Sequence, residues 1–172
     1  MKDEKILYEI LESRENRASM QKNIIDKYNK SLISFTLNIP GLKKDSPKYR
    51  QIHDIGMERI IHEIEKSGNK IVYLNSFHKK TGPEGYLVVD MNPSDLKKMA
   101  INIEEHHKLA RVFDIDVFDS NHKQISRTEL GFDPRKCLLC DKDAKVCNRE
   151  TSHSIEDLLE EIDQLYDIYL KN

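Results

Sequence analysis

The stretch FDIDVFD, residues 113–119, looks like a strand, yet it carries acids at Asp114, Asp116 and Asp119. Strands usually exclude aspartate, whose carboxylate competes for backbone hydrogen bonds and fits badly on a half-buried pleat. Side chains alternate along a strand, so Phe113, Ile115 and Val117 share one face and Asp114 and Asp116 the other. By the rise per residue the two carboxylates stand about 7 Å apart along that face. Carboxylates side by side repel each other unless a cation or arginines compensate. Magnesium ions held by such acids suit nucleotidyl and phosphoryl transfer. Taken alone, an Asp-x-Asp pair also fits a solvent-facing strand whose acids only confer solubility. Arg111, Arg127 and Arg135 lie close in sequence and favour the first reading, because a phosphate substrate needs cations as well as metal. Asp119 opens the next turn and reads as structural.

A partner for this strand lies in SLISFTLNIPG (31–41), where Ile33, Phe35, Leu37 and Ile39 alternate with Ser34, Thr36 and Asn38. Ser46-Pro47 opens a helix, serine as N-cap and proline in the first turn, running to about Lys66 and stopping at Ser67-Gly68-Asn69. KIVYLNSF (70–77) is a second strand, HKKTGPEG a loop, and YLVVD (86–90) a third strand. Asn92-Pro93 starts another helix, with Leu96, Met99, Ala100 and Ile103 inward, ending near His106 and His107. This order predicts an α+β protein with a ferredoxin-like βαββαβ core over residues 32–119. Both helices then cover one face of a four-stranded antiparallel sheet, with the first and fourth strands as central neighbours. On that topology Ser34, Thr36 and Asn38 lie beside Asp114 and Asp116.

The flanks complete a single domain spanning residues 1–172. Residues 4–30 suit an N-terminal helix whose stripe is Leu7, Leu11, Arg14, Ala18, Gln21, Ile25 and Tyr28. Arg14 and Gln21 therefore sit where solvated residues are not expected. They either snorkel to water or mark a buried functional arginine, with Arg17 beside it. Residues 120–172 hold a hairpin turn at Ser120-Asn121-His122, a strand extension QISRTEL, a Cys/His loop and a C-terminal helix. That helix is capped by Ser154 with Asp157 three residues on, and its core face is Ile155, Leu158, Leu159, Ile162, Leu165, Tyr166 and Tyr169.

Charged residues make up 34% of the chain, yet the net charge is only −2. No overall basicity points to nucleic acid or an anionic membrane, so an anion site has to be a local arginine cluster. Asp114 and Asp116 also argue against RNA, since they put negative charge on the face such sheets use for bases. No apolar run approaches the roughly 18 to 20 residues of a membrane span. MKDEKILYEILESRENR lacks the apolar core of a signal peptide, and a cytoplasmic location is expected.

The segment RKCLLCDKDAKVCNRETSH (135–153) sets Cys137 and Cys140 as a C-x2-C pair, followed by Cys147 and His153. Those four soft or borderline ligands are what tetrahedral Zn²⁺ requires, and with no open position such a site would be structural. Reduced cysteines packed in the core are the plainer reading. A zinc-knuckle-like loop would fix Arg135 and Arg149 beside the fourth strand. His106 and His107 end a helix, where imidazolium suits the dipole, although one could serve as a general base. Thr81-Gly82-Pro83-Glu84-Gly85 reads as a turn whose glycines could let a phosphate or ribose approach backbone amides.

Several segments together, SRENR (13–17), LISFTLNIPG (32–41), TGPEGY (81–86), ARVFDIDVFD (110–119), ISRTELG (125–131), RKCLLC (135–140) and AKVCNRETSHS (144–154), carry a resemblance over nearly the full length. The chain resembles the holo-acyl-carrier-protein synthases of citrate lyase, also called apo-citrate lyase phosphoribosyl-dephospho-CoA transferases. Ala110 departs from the pattern, which expects a glycine before Arg111. The resemblance implies transfer of the phosphoribosyl-dephospho-CoA part of triphosphoribosyl-dephospho-CoA to a serine of the citrate lyase acyl carrier (gamma) subunit, releasing pyrophosphate. Residue chemistry then assigns Asp114 and Asp116 to Mg²⁺, and Arg111, Arg127, Arg135 and Arg149 to the departing pyrophosphate. Arg14 and Arg17 would reach the same pocket from the first helix. The rival readings are a non-catalytic zinc-knuckle module docking on a protein complex or RNA, and a synthase serving a different acyl carrier subunit.

Overall fold

The apolar alternation of residues 31–39 and 113–118 places two strands side by side, and the rest of the fold is arranged on that pair. The computed structural model describes residues 2–171. Helix α1 (Lys2–Tyr28) precedes strand β1 (Ser31–Leu37), helix α2 (Pro47–Lys66), and the hairpin of β2 (Ile71–Lys79) and β3 (Gly82–Val89). Helix α3 (Pro93–His106) and a 3-10 turn, Ala110–Val112, lead into β4 (Phe113–Phe118). A second 3-10 turn, Thr128–Leu130, and helices α4 (Ala144–Glu150) and α5 (Ile155–Leu170) follow.

The four strands form one sheet in the order β2-β3-β1-β4, with every neighbouring pair antiparallel. β1 and β4 are neighbours as expected, but they are not both central: β1 and β3 are interior and β4 is an edge. β3 leaves its hairpin and takes one flank of β1, so α3 can deliver β4 only to the other. The exposed edge of β4 is closed by α3, whose Lys97 Nζ donates to the Ile115 carbonyl (2.9 Å) and whose Glu104 Oε1 accepts from the Ile115 amide (2.9 Å). Satisfying those groups removes a template for pairing with another chain.

One face of the sheet carries the larger core. Ile33, Phe35, Leu87, Phe113, Ile115 and Val117 pack with Ile52, Ile60 and Ile64 of α2 and with Leu96, Ala100 and Ile103 of α3. Each such side chain contributes roughly 1.5–3 kcal/mol when fully buried. The approach of α2 requires Gly56, since a Cβ there would stand 2.4 Å from the Phe35 ring. Helix α5 joins this layer through Ile162, which is fully buried, and through Tyr166 bonded to Gln51. Its first predicted core residue, Ile155, is instead half exposed, lying at the rim over Gly41.

Helix α1 covers the opposite face, where Ile24 and Ile25 pack on Leu32, Tyr86 and Val88. Its C-terminal half meets the sheet through Ile25 and Tyr28, as the stripe predicts. Its N-terminal half does not. Leu7 and Leu11 are about half exposed, Arg14 and Ala18 face solvent, and the inward residues are Ile10 and Ser13, with Arg17 half-buried. The reason is electrostatic: this part of the helix meets the buried carboxylate of Glu84, so polar residues occupy the seam.

Three other expectations are corrected. The loop expected over residues 78–85 is mostly strand, and only Lys80 and Thr81 form the hairpin turn. Pro83 is tolerated because β1 begins to pair with β3 only at Gly85, so its missing N–H falls on a free edge. The strand extension QISRTEL reduces to one bridge, Phe118 to Gln124. Beyond it Ser126 and Glu129 bond reciprocally (3.2 and 3.0 Å) and turn the chain into a 3-10 helix. The cysteine loop contains helix α4, capped by Asp143. Among the described residues no helix is long and apolar enough to cross a membrane.

Candidate active site

Where the N-terminal half of α1 stands away from the sheet, it leaves a cleft of about 130 Å³. The polar row of β1 and the acid of β4 form its floor, through Thr36, Asn38 and Asp114. Arg14, Arg17 and Lys44 bring three cations to its walls, and Thr81 and Gly82 of the hairpin turn form its rim. Gly82 adopts φ +112°, which favours glycine and keeps side-chain bulk off the rim. An enclosure with three cations against one floor carboxylate attracts an anion. Burial, with the charge of Arg14 added to it, lowers the Lys44 pKa, so further positive charge is disfavoured there.

Glu84 sits behind this wall and organises it. Its carboxylate is 1% exposed and accepts from Lys79 Nζ (2.8 Å), Tyr86 Oη (2.9 Å), Ser13 Oγ (3.3 Å) and Arg17 (3.3 Å). Burial alone would raise its pKa, but the Lys79 bond, Arg17 and Tyr86 outweigh burial and hold it below the usual range. The network ties α1 to the hairpin and points the Arg17 guanidinium along the cleft.

The paired register puts Thr36 opposite Asp114 and Ser34 opposite Asp116, the polar row expected from sequence. Thr36 Oγ1 reaches Asp114 at 3.5 Å, and Arg135 pairs with its other oxygen at 3.2 Å. Arg135 Nη2 is buried without a hydrogen-bond partner, and neither Arg135 nor Asp116 is among the residues that line the cleft. Asp116 accepts from Gln124 (2.7 Å), while Ser34 accepts from Gln21 of α1 (2.9 Å). Burial and the neighbouring Asp114 push the Asp116 pKa up to about 6. The two carboxylates present hard oxygen donors of the kind a divalent cation such as Mg²⁺ takes.

The other predicted arginines go elsewhere. Arg111 donates to the carbonyls of Cys137 (2.7 Å) and Leu138 (3.2 Å), holding the cysteine loop. Arg127 pairs with Glu104 (2.6 Å) and Glu105 (3.1 Å) of α3, and Arg149 is exposed on α4. None of these three lines the cleft. His107 is held between the rings of Phe113 (5.0 Å) and Tyr169 (5.7 Å), a packing role, and His106 bonds back to the Asn102 carbonyl.

Cys137, Cys140, Cys147 and His153 converge, with ligand atoms all within 4.8 Å of one another. Cys140 Sγ lies 3.4 Å from both Cys147 Sγ and His153 Nε2, and Cys147 Sγ lies 3.9 Å from that nitrogen. A tetrahedron with metal–sulfur bonds of about 2.3 Å has edges of about 3.8 Å. The cluster can therefore hold a metal ion, and its cysteines are free thiols.

Comparison with known proteins gives the chain its family. The family model for apo-citrate lyase phosphoribosyl-dephospho-CoA transferase matches residues 5–169. The chain belongs to that family. A probable apo-citrate lyase phosphoribosyl-dephospho-CoA transferase of Vibrio cholerae is 36% identical over 160 residues, covering 92% of this chain and 90% of the relative. One of Streptococcus pyogenes is 38% identical over 164 residues, covering 92% of this chain and 84% of its own. In this member of the transferase family, Ala110 occupies a buried 3-10 turn without positive φ, so alanine fits where the pattern expects glycine.

Lys44 of the cleft and Glu84 behind it were not picked out by the sequence pattern. Lys44 lies between Gly41 and the α2 cap in a segment that reads only as a loop. Glu84 was hidden inside the presumed turn, although a carboxylate within the TGPEGY segment of the transferase pattern was a usable signal.

Proposed function

We propose that this chain is a nucleotidyltransferase that moves phosphoribosyl-dephospho-CoA from triphosphoribosyl-dephospho-CoA onto a serine of the citrate lyase acyl carrier subunit. The serine oxygen bonds to phosphorus as the bond to pyrophosphate breaks and the hydroxyl proton is lost, leaving a phosphodiester. The observation that carries this reading is the family match over residues 5–169. The cleft is consistent with it, because it opposes cations to a carboxylate floor at the polar face of the sheet.

Arg14, Arg17 and Lys44 are assigned to the triphosphate, where fixed positive charge stabilises the departing pyrophosphate. Thr81 and Gly82 offer hairpin backbone to the same phosphates. Arg135 is assigned to orienting Asp114 at the edge of the cleft. Arg111 positions the loop that bears Arg135, while Arg127 and Arg149 are assigned no contact with substrate. Asp114 and Asp116 would hold Mg²⁺, which supplies charge neutralisation at the phosphates and acidifies the attacking hydroxyl. We assign Cys137, Cys140, Cys147 and His153 to structural Zn²⁺, and the βαββαβ segment to a ferredoxin-like core within one domain.

The test is mass spectrometry of the carrier subunit after incubation with enzyme, Mg²⁺ and the triphosphoribosyl precursor. The wild-type chain is expected to add the prosthetic group, while Asp114→Asn and Asp116→Asn remain folded and lose at least about a hundredfold in rate. Normal labelling by both variants removes the metal assignment. Labelling of another acyl carrier but not this one changes the acceptor, and labelling of none leaves a binding module.

A further inference from the structure

A second cluster lies on the opposite face of the β2–β3 hairpin, away from the cleft and from the cysteines. His53 and Asp54 of α2 and His78 of β2 bring their ligand atoms within 4.8 Å of one another. His78 Nε2 lies 2.8 Å from Asp54 Oδ1, and His53 Nδ1 faces the same oxygen at 3.8 Å. The two imidazole planes are nearly perpendicular at 85°, with centroids 6.2 Å apart.

His53 is the unusual member. Its side chain is 0% exposed, stacked on Phe35 at 4.7 Å, and neither ring nitrogen has a hydrogen-bond partner. A buried imidazole rarely keeps both nitrogens unsatisfied, because desolvating them is unfavourable unless something takes their place. An isoleucine or leucine would fill the same core without that penalty. Asp54 and His78 are 53% and 34% exposed, so the cluster opens to solvent on the side away from His53. Asp45 lies near enough to His78 to sense its charge, but it is engaged by Arg50 at 2.7 and 2.8 Å.

We propose that His53, Asp54 and His78 form a second metal site, taking a borderline divalent cation such as Zn²⁺ from solvent. Two imidazole nitrogens and one carboxylate oxygen suit such an ion better than Mg²⁺, and they leave a coordination position for water. Bonds of about 2.0–2.2 Å from a shared ion need the ligand atoms roughly 3 to 3.5 Å apart. The 2.8 and 3.8 Å separations bracket that range, so small side-chain movements suffice. Gly85 packs beside His53: a Cβ there would collide with the Met57 sulfur at 2.3 Å and only touch His53 Cε1 at 3.4 Å. The ion would clamp α2 to the hairpin that carries Thr81 and Gly82 at its tip, making the site a brace behind the cleft rim.

The test is equilibrium dialysis of the full chain against a fixed concentration of Zn²⁺, comparing wild type with His78→Ala, Asp54→Asn and Cys140→Ser. Both His78 and Asp54 are partly exposed, so those variants should fold, which circular dichroism checks. His78→Ala and Asp54→Asn are expected to bind one equivalent less than wild type, whereas Cys140→Ser keeps that equivalent. Zinc should also shift the imidazole carbon–proton resonances of His53 and His78 together. Equal zinc content in wild type and the His78→Ala and Asp54→Asn variants overturns the proposal. So does a response of His78 with His53 unmoved, which marks adventitious surface binding.

Discussion

The cysteine cluster and the cleft are both convergences of reactive side chains, but they are assembled in opposite ways. Cys137, Cys140, Cys147 and His153 come from one short segment folded around itself, and its donors are soft. The cleft draws Arg14 from α1, Thr36 from β1, Lys44 from a connecting segment, Thr81 from a hairpin turn and Asp114 from β4. Its groups are hard and charged, and they stay open to water. Two arginines join the regions: Arg111 grips the carbonyls of Cys137 and Leu138, and Arg135 pairs with Asp114. A local site survives on its own ligands, whereas a dispersed one depends on every element that carries a piece of it.

The largest test of that contrast is Cys140→Ser. It should remove the zinc of the cluster, seen by elemental analysis, and destabilise the chain by about 3 kcal/mol or more. Because Arg135 is then less firmly held, carrier labelling should fall about tenfold rather than vanish. Less than half an equivalent of zinc in wild-type protein kept from chelators would leave the cluster as packed thiols.

Glu84→Gln probes the dispersed site. It leaves Lys79 and Arg17 without their carboxylate, so a loss of about 2 kcal/mol is expected in chemical denaturation. Labelling should suffer as well, through a misplaced Arg17. An unchanged denaturation midpoint would mean that the network does not bind α1 to the hairpin.

Acid titration of metal-free protein probes the core on the face away from both sites. Burial lowers the His53 pKa from 6.5 to about 4, so the unfolded chain takes up a proton that the folded chain refuses. That contribution is intact above pH 6.5 and is lost as pH falls from 6.5 toward 4, at most about 3 kcal/mol. In His53→Asn this part of the slope should be absent. The smallest effect is expected from Arg14→Ala, an exposed cleft residue: unchanged thermal stability, with kcat/KM for the triphosphoribosyl substrate lowered about tenfold. A rise in KM with kcat unchanged would limit Arg14 to binding the substrate and remove it from leaving-group stabilisation.

Much of the framework was legible because it is written in short-range rules. Ser46 and Ser154 cap their helices as expected, accepting from the amides of Tyr49 (3.1 Å) and Asp157 (3.0 Å). Alternation in β1 and β4 correctly separated Phe113, Ile115 and Val117 from Asp114 and Asp116. Local rules failed where a distant charge intervened. The α1 stripe was drawn through Leu7 and Leu11 because apolar residues mark a seam only when the opposing surface is apolar, and here it is Glu84. The strand at Pro83 was missed because proline breaks a strand paired on both sides, and nothing local tells that β1 stops short of it.

The sequence by itself determined the strand alternation, the helix caps, the ligand spacing of the cysteine segment and the family. Each is encoded by residues near one another in the chain or by the pattern as a whole. Only the tertiary structure decided which cations face Asp114. Of the arginines close in sequence to that strand, Arg135 pairs with Asp114 while Arg111 and Arg127 turned to the cysteine loop and to α3; Arg14, Arg17 and Lys44 arrived from far along the chain. Charge pairing depends on distance in space, and the sheet order together with the lie of α1 sets that distance.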